Sequence, residues 1–130
     1  MMKTLLTTTA ILLVSSVAYA EVRLIPLDSK SFRKCVSWHT IEEGGRNKMG
    51  PNLWNIMNRG TGQAKDYKYS KKFVAWAKKN PCWTPELMDQ WLTKSRNMVK
   101  GTKMSFREKK EKKRAATIVY LQSMTPPKTE

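Results

Sequence analysis

The chain of 130 residues contains one histidine, two cysteines and ten acidic residues, and this scarcity limits its chemistry. Enzymes that act through a nucleophile need a base beside it, and the sequence offers no nucleophile and base at a suitable spacing. It also has no internal repeat and no alternation of apolar and polar residues with a period of two. We therefore predict a protein that is not an enzyme and that folds from helices rather than strands.

Long apolar runs are also absent, and the one extended apolar stretch lies at the start of the chain. Residues 1–20 combine the positive charge of Lys3, an apolar region from Ile11 to Val17, and a small-residue cleavage site at Ala18-Tyr19-Ala20. This pattern is typical of a secretory signal peptide. The apolar run is shorter than the roughly 20 residues that a membrane-spanning helix needs. We expect an exported, periplasmic protein in which residues 21–130 form a single domain without a transmembrane segment.

Acidic residues are outnumbered by 25 lysines and arginines, which gives a formal net charge of +15 at pH 7. Such a surface attracts anionic partners and speeds their encounter. The run KKEKKR at residues 109–114 would suggest nucleic acid in an intracellular protein. Export argues against that partner. The remaining candidates for an anionic partner are an acidic face on another protein and an anionic lipid surface.

The two cysteines allow two different roles. Two cysteines in an exported chain are expected to pair, which would join Cys35 to Cys82. Cys35 also opens the segment Cys35-Val-Ser-Trp38-His39, which differs from the C-x-x-C-H haem-attachment box only at Trp38. A cysteine bonded to haem cannot form a disulfide. The residues alone leave both roles open.

Capping signals and apolar spacing predict four short helices. Their predicted ranges are 28–38 with Asp28 or Ser29 as N-cap, 71–79 after Ser70, Thr84-Pro85-Glu86 to about Arg96, and a capping box Ser105–Glu108 to about Ser123. The last helix is expected to bury a stripe of Ala115, Ile118, Val119, Tyr120 and Leu121.

Residues 44–69 hold five of the six glycines and favour an ordered loop with one helical turn near Leu53 to Met57. Four short helices joined by glycine-rich loops bury little surface against one another, so a cofactor such as haem would fill the middle.

Haem iron needs axial ligands, and a histidine opposite a methionine gives an electron-transfer centre. His39 follows Cys35 by four residues, so both side chains can lie on one face of a helix. Of the eight methionines, Met104 has the most suggestive setting, Lys100-Gly-Thr-Lys-Met-Ser-Phe.

Several longer motifs follow one another in a recognisable order. They are FRKCxxxHT at 32–40, KMGPNL at 48–53, RGTGQA at 59–64, YKYS at 67–70, Trp83 before a helix, WL at 91–92, GTKMSF at 101–106 and RxxxIxYL at 114–121. Over these residues the chain resembles the class I c-type cytochromes, the mitochondrial and bacterial electron carriers. The resemblance implies an all-α cytochrome c-like fold, with short helices and long ordered loops wrapped around one haem.

The resemblance also implies roles for particular side chains. His39 would be the proximal iron ligand, with its second ring nitrogen bonded to the Pro51 carbonyl, and Met104 would be the distal ligand. Trp91 would donate to the Met sulfur, and Phe106 would flank the haem edge. The residues expected near the haem propionates are Arg59, Tyr67, Tyr69, Trp83 and Thr102.

The chain departs from the family pattern at several positions. Trp38 stands where the second attachment cysteine belongs, so at most one thioether can form, and Trp38 itself can pack against the porphyrin. Ser95 and Lys100 stand where the family has prolines, which predicts a less rigid loop around Met104. The segment from Ser70 to Trp83 is longer than in the mitochondrial pattern and carries Cys82, which the family does not require.

Two hypotheses result. The first is an exported, monomeric electron-transfer protein with a c-type haem. Its iron would lie between His39 and Met104, and one thioether would join the haem to Cys35. Its partners would be acidic oxidase-like or reductase-like proteins and not nucleic acid. The alternative is a haem-free, basic binding module closed by a Cys35–Cys82 disulfide.

Overall fold

The computed structural model describes residues 29–127, and within that range it contains helices and no strand. A 3₁₀ helix spans Ser29–Lys34, followed by α1 (Lys71–Lys79), α2 (Pro85–Thr93), α3 (Ser95–Met98) and α4 (Glu111–Ser123). The prediction of an all-α fold with long loops is confirmed. The predicted signal peptide lies outside the described residues, and the extent of the single domain stays a prediction.

The first helical segment is shorter and tighter than predicted. An α-helix over 28–38 was expected, but the structure has the 3₁₀ helix Ser29–Lys34 followed by a turn that reaches Trp38. This helix packs against α4, where the rings of Phe32 and Tyr120 lie 5.2 Å apart. The 3₁₀ geometry is common in such short pieces. Asp28, one of the two predicted N-caps, lies outside the described residues.

Helix α1 has the predicted bounds because its ends carry clear signals. The Ser70 hydroxyl accepts the Phe73 N–H, and the helix ends at Asn80 before Pro81. Phe73 and Ala77 form its buried side.

Helix α2 begins as predicted but ends earlier. The Thr84 hydroxyl accepts the Leu87 N–H at 3.1 Å, and Pro85 takes the first helical position. A helix to about Arg96 was expected, whereas α2 ends at Thr93. The Ser95 N–H donates to the Phe106 carbonyl instead of to a carbonyl of the preceding turn, so the helical ladder is interrupted there. Residues 95–98 then form α3 as a separate turn.

The predicted capping box of the last helix is wrong. Helix α4 begins at Glu111, and its N-cap Lys110 has no side-chain cap bond. Ser105 is exposed, while the Glu108 carboxylate binds the Lys34 ammonium at 2.9 Å. Residues 99–110 are therefore irregular, and we call them the Met104 loop. The buried residues of α4 are Thr117, Ile118 and Leu121.

Residues 40–70 have no regular helix. The helical turn predicted near Leu53 to Met57 is a hydrogen-bonded turn over 54–58. Asn55 has a φ of 57° there, a left-handed conformation that an α-helix does not contain. Hydrogen bonds of turns hold this region, such as those from the Asn58 and Arg59 N–H groups to the Asn55 carbonyl at 3.0 and 2.9 Å.

The apolar core gathers residues from every helix longer than one turn and from the loops. Its members are Phe32, Cys35, Leu53, Ile56, Phe73, Ala77, Trp83, Met88, Trp91, Leu92, Val99, Ile118 and Leu121. The Arg114 guanidinium pairs with the Asp89 carboxylate at 2.7 Å and so joins α4 to α2 at the edge of this core. Of the helices in the described range, none has the length and apolar character to cross a membrane.

We predict that Thr84→Ala lowers the free energy of unfolding by about 1 kcal/mol, because it removes the N-cap of α2. The measurement is urea or thermal unfolding of the purified protein. Thr93→Ala is the matched control, since the Thr93 hydroxyl bonds only to the Asp89 carbonyl one turn earlier and such bonds add little. Equal losses in the two variants would contradict the assignment of Thr84 as a cap.

Candidate functional site

The turn that follows the 3₁₀ helix turns Cys35 and His39 to the interior. The His39 N–H donates to the Cys35 carbonyl at 2.9 Å, the bond of one α-helical turn, so the two residues lie on the same side. Both are buried, whereas Val36 is 45% exposed and Trp38 is 55% exposed. The segment therefore presents a thiol and an imidazole inward. The packing of Trp38 against a porphyrin stays a prediction.

The ring of His39 is fixed by the loop at residues 50–51. Its Nδ1 lies 2.8 Å from the Pro51 carbonyl oxygen. A carbonyl only accepts, so Nδ1 carries the proton and Nε2 keeps a free lone pair. Gly50 is required beside the ring, because a Cβ atom at that position would lie 2.3 Å from His39 Cε1.

The electrostatic surroundings keep His39 neutral. Burial lowers the pKa of the His39 imidazole, and the positive charges of Arg59 and Lys48 lower it further, against the opposing effect of the Pro51 hydrogen bond. A neutral imidazole with Nε2 unprotonated is the form that binds metals. The structure thus holds His39 in the neutral tautomer that a metal ligand requires.

Arg59 contributes a half-buried positive charge close to this ring. Its two terminal nitrogens donate to the Trp54 and Asn52 carbonyls at 2.7 and 2.6 Å. Its Nε is buried without a partner in the described part of the chain. Burial lowers the pKa of Arg59, and the hydroxyl of Tyr69 opposes this effect. The guanidinium remains charged, and its buried Nε–H is a donor without a protein partner within residues 29–127.

Arg59 also has no acidic partner within residues 29–127. The ion pairs there join Lys34 to Glu108 and Arg114 to Asp89. A buried cation without a counter-charge is costly, so a carboxylate from a bound group would satisfy both the charge and Nε.

Tyr67 and Tyr69 connect the two sides of the site. Their rings meet edge to face at 4.7 Å, the Tyr67 hydroxyl donates to the Met49 carbonyl at 2.9 Å, and the Ala64 N–H donates to the Tyr69 hydroxyl at 3.0 Å. Lys103, which precedes Met104, places its ammonium 5.4 Å from the centre of the Tyr67 ring. Tyr67 thus links the loop beside His39 to the Met104 loop.

Trp83 and Trp91 lie in an aromatic cluster behind the tyrosines. The centres of their rings are 5.6 Å apart. The Phe73 ring lies between Trp91 and Tyr69, with its centre 5.5 Å from that of Trp91 and 5.1 Å from that of Tyr69. Trp76, which the sequence analysis did not single out, stacks on Trp91 at 6.1 Å. The donation from the Trp91 indole to the Met104 sulfur stays a prediction, since the contacts of Trp91 in the structure are these rings.

Met104 is partly buried against the core, and a small set of hydrogen bonds holds its loop. The buried Thr102 accepts the Met104 N–H at 3.4 Å, and the Ser95 hydroxyl donates to the Met104 carbonyl at 2.9 Å. Phe106, also partly buried, donates its N–H to the Ser95 hydroxyl at 3.1 Å. Ser95, which stands in place of a proline, thus holds this loop through hydrogen bonds, and the lower rigidity of the loop stays a prediction.

The predicted site residues fall into two connected groups. One group lies around the loop at residues 50–54 and contains Cys35, His39, Pro51 and Arg59. The other lies on the Met104 loop and contains Thr102, Met104 and Phe106. Tyr67 links the two groups. Sequence reasoning missed the roles of Gly50 and Ser95. The pair Gly50-Pro51 is a visible sequence signal for a tight approach. The sequence marks Ser95 only as a departure from a family proline and does not indicate its partners, which lie nine and eleven residues away along the chain.

Both cysteines are free thiols in this structure, so the Cys35–Cys82 disulfide of the alternative hypothesis is not formed. Cys35 is buried and Cys82 is exposed. Burial raises the pKa of the Cys35 thiol to about 11, against a smaller lowering effect of the Lys34 charge. Cys35 thus stays protonated at neutral pH.

Comparison with known proteins finds several relatives. The chain is 37% identical over 89 residues to a cytochrome c of Kluyveromyces lactis, a match that covers 68% of this chain and 78% of that protein. It is 32% identical over 100 residues to a cytochrome c-550 of Novispirillum itersonii, which covers 71% of this chain and 90% of that protein. A cytochrome c homolog of Rickettsia typhi is 40% identical over 74 residues, and that match spans 41% of the relative. No protein-family model matches the chain.

We predict that, before haem is attached, a thiol reagent at pH 8 labels one cysteine of the folded protein, Cys82. Cys35 stays unlabelled because it is shielded and because its pKa of about 11 leaves almost no thiolate at that pH. The measurement is a thiol titration with mass mapping, and Cys82→Ser should reduce the count to none. Rapid labelling of Cys35 in the folded protein would contradict its burial. A wild-type count of zero before and after unfolding, with restoration by reductant, would indicate the disulfide instead.

Proposed function

Because the chain belongs to the class I c-type cytochrome family, we propose that it is a haem-binding electron-transfer protein with its iron between His39 and Met104. Bound haem supplies an iron that takes up and releases one electron at a time. The protein's part is to bind the group, to orient its ligands and to limit the access of water.

The observation that carries the proposal is the state of His39. The hydrogen bond to the Pro51 carbonyl assigns the proton to Nδ1, and burial keeps the ring neutral. Gly50 holds the ring against this loop, since any larger residue would displace it. Nε2 is consequently available as a ligand without a change of tautomer or of ring orientation.

The polar residues expected near the propionates also fit the group. Arg59 offers a buried charge and an unpaired Nε, both suited to a carboxylate. Tyr69 lies close enough to Arg59 to influence its pKa, and Thr102 and Trp83 are buried. A haem carries two carboxylates, and one of them would supply the counter-charge to Arg59 that the described acidic residues do not.

Attachment through Cys35 alone is part of the proposal. Cys35 would hold the haem through a thioether, which addition of its thiol S–H across a vinyl double bond would give without net oxidation. Cys35 shares its inward side with His39, the arrangement that one attachment point needs. Trp38 cannot form such a bond, so a second thioether at this segment is excluded.

We also propose export to the periplasm, a monomeric state and acidic redox proteins as partners. Export rests on the predicted signal peptide at residues 1–20. The partner class rests on the net charge of +15 and on its distribution. A groove of about 340 Å³ beside α4 shows the imbalance of charge, because its charged lining residues are one acid, Glu108, and five bases, Lys30, Lys34, Lys112, Lys113 and Arg114.

Met104→Leu is expected to abolish the sulfur-to-iron charge-transfer absorption and to lower the reduction potential, because leucine has no ligand atom. Visible spectroscopy and redox titration of the haem-loaded protein measure both effects. Met49→Leu is a suitable control, since Met49 lies beside Gly50 but is 74% exposed, and Met98→Leu is a second one. Loss of the band in Met98→Leu with retention in Met104→Leu would overturn the ligand assignment.

Cys35→Ser is expected to remove covalent haem. Chromatography under denaturing conditions should leave haem on the wild-type chain and on Cys82→Ser and strip it from Cys35→Ser, with the intact mass as an independent readout. Trp38→Cys should increase the yield of covalent haem, because it restores the second attachment point. Wild-type protein that carries no haem after production in a haem-competent host would instead support the haem-free binding module.

A further inference from the structure

We propose that the hydrogen bonds of the Ser95 hydroxyl fix the backbone of the Met104 loop and thereby set how readily another ligand displaces the Met104 sulfur from the iron. Ser95 is a positioning residue in this role, since it acts through the backbone of Met104 and touches neither sulfur nor iron. The inference rests on the proposed function, in which Met104 is the distal ligand.

Ser95 makes an unusual number of contacts with one short stretch of chain. Its side chain is fully buried, with 0% exposure. The hydroxyl oxygen lies 2.9 Å from the Met104 carbonyl oxygen and 3.1 Å from the Phe106 nitrogen. The Ser95 N–H also donates to the Phe106 carbonyl at 3.2 Å. Three hydrogen bonds thus fix the backbone on both sides of Ser105.

The donors and acceptors of this arrangement match one another. A hydroxyl has one proton to donate and can accept as well. Ser95 gives that proton to the nearer acceptor, the Met104 carbonyl, and accepts the Phe106 N–H. The more distant Phe106 carbonyl, 3.4 Å from the hydroxyl, already receives the Ser95 N–H. Alanine at position 95 would leave a carbonyl and an N–H of the Met104 loop unpaired in a partly buried place.

The other described restraints act beside Met104 rather than on its backbone: the Lys103 ammonium donates to the Lys68 carbonyl, and the Thr102 N–H donates to the Val99 carbonyl at 3.2 Å. In the described part of the chain the Met104 N–H reaches only the Thr102 hydroxyl, at 3.4 Å, which is a long hydrogen bond. The Met104 loop has no helical ladder, and Gly101 adopts a φ of 85° that gives it a sharp bend. The hydrogen bond from Ser95 to the Met104 carbonyl is therefore the shortest one on the backbone of Met104 in the described part of the chain.

Because α2 breaks at Lys94, Ser95 is directed toward the Met104 loop instead of continuing the helix. The same hydrogen bonds thus explain the early end of α2 and the order of the Met104 loop. Ser105 provides a natural comparison, since it lies between Met104 and Phe106 but is exposed and makes none of these hydrogen bonds.

The test uses the haem-loaded protein and imidazole, a small nitrogen ligand that competes with the Met104 sulfur for iron. Imidazole binding is followed by the loss of the sulfur-to-iron absorption. Ser95→Ala should raise the affinity for imidazole about tenfold, because releasing the Met104 backbone makes the sulfur easier to displace. The matched variant Ser105→Ala should bind imidazole as the wild type does.

Thr84→Ala separates positioning from general stability, because it removes a cap at the far end of α2 without touching the Met104 loop. It should leave the imidazole affinity unchanged while Ser95→Ala raises it. Equal affinities in Ser95→Ala and Ser105→Ala would overturn the inference while Met104 ligation stands, and so would an equal rise in Thr84→Ala. A wild-type protein without the sulfur-to-iron absorption would overturn the Met104 assignment itself, and this inference with it.

Discussion

The hydrogen bond between His39 Nδ1 and the Pro51 carbonyl is the interaction on which the site depends. It selects the tautomer, sets the ring orientation and joins the turn after the 3₁₀ helix to the loop at residues 50–53. The same junction is reinforced by the Leu53 N–H, which donates to the Thr40 carbonyl at 2.8 Å, and by the Gly50 N–H, which donates to the Trp38 carbonyl at 2.8 Å. Without these bonds the imidazole would have no fixed direction.

The helices frame the site and the loops build it. The 3₁₀ helix packs on α4, and α4 packs on α2. Most of the predicted site residues, however, lie in loops and turns between the helices. Such chain holds its shape through bonds between side chains and backbone. Asn52 illustrates this, since its amide donates to the Thr40 hydroxyl at 2.8 Å and its own N–H donates to the Asn47 side chain at 2.8 Å. Ser95 likewise uses its side chain to hold the backbone of the Met104 loop.

Charge is distributed unevenly between surface and interior. Most lysines are exposed, where water screens them and where a partner can reach them. The interior groups nearest the site are neutral, because burial lowers the pKa of His39 and raises that of Cys35. Arg59 is the exception, a half-buried cation without an acidic partner within residues 29–127. A cofactor with acidic side groups suits this interior better than a purely apolar one.

The sequence by itself determined the helical class, the bounds of α1 and the start of α2, because Ser70 and Thr84 act within one turn of their own positions. It also indicated the family, since motifs such as KMGPNL and GTKMSF are read directly from the order of residues. The tertiary structure alone decided where α2 ends, why α4 lacks its predicted capping box, and which residues hold Met104. In each case a distant partner competes with the local signal: Ser95 bonds to Phe106 rather than to its own helix, and Glu108 bonds to Lys34 rather than to the backbone of Ser105. Local rules cannot foresee such partners, because they become neighbours only when the chain has folded.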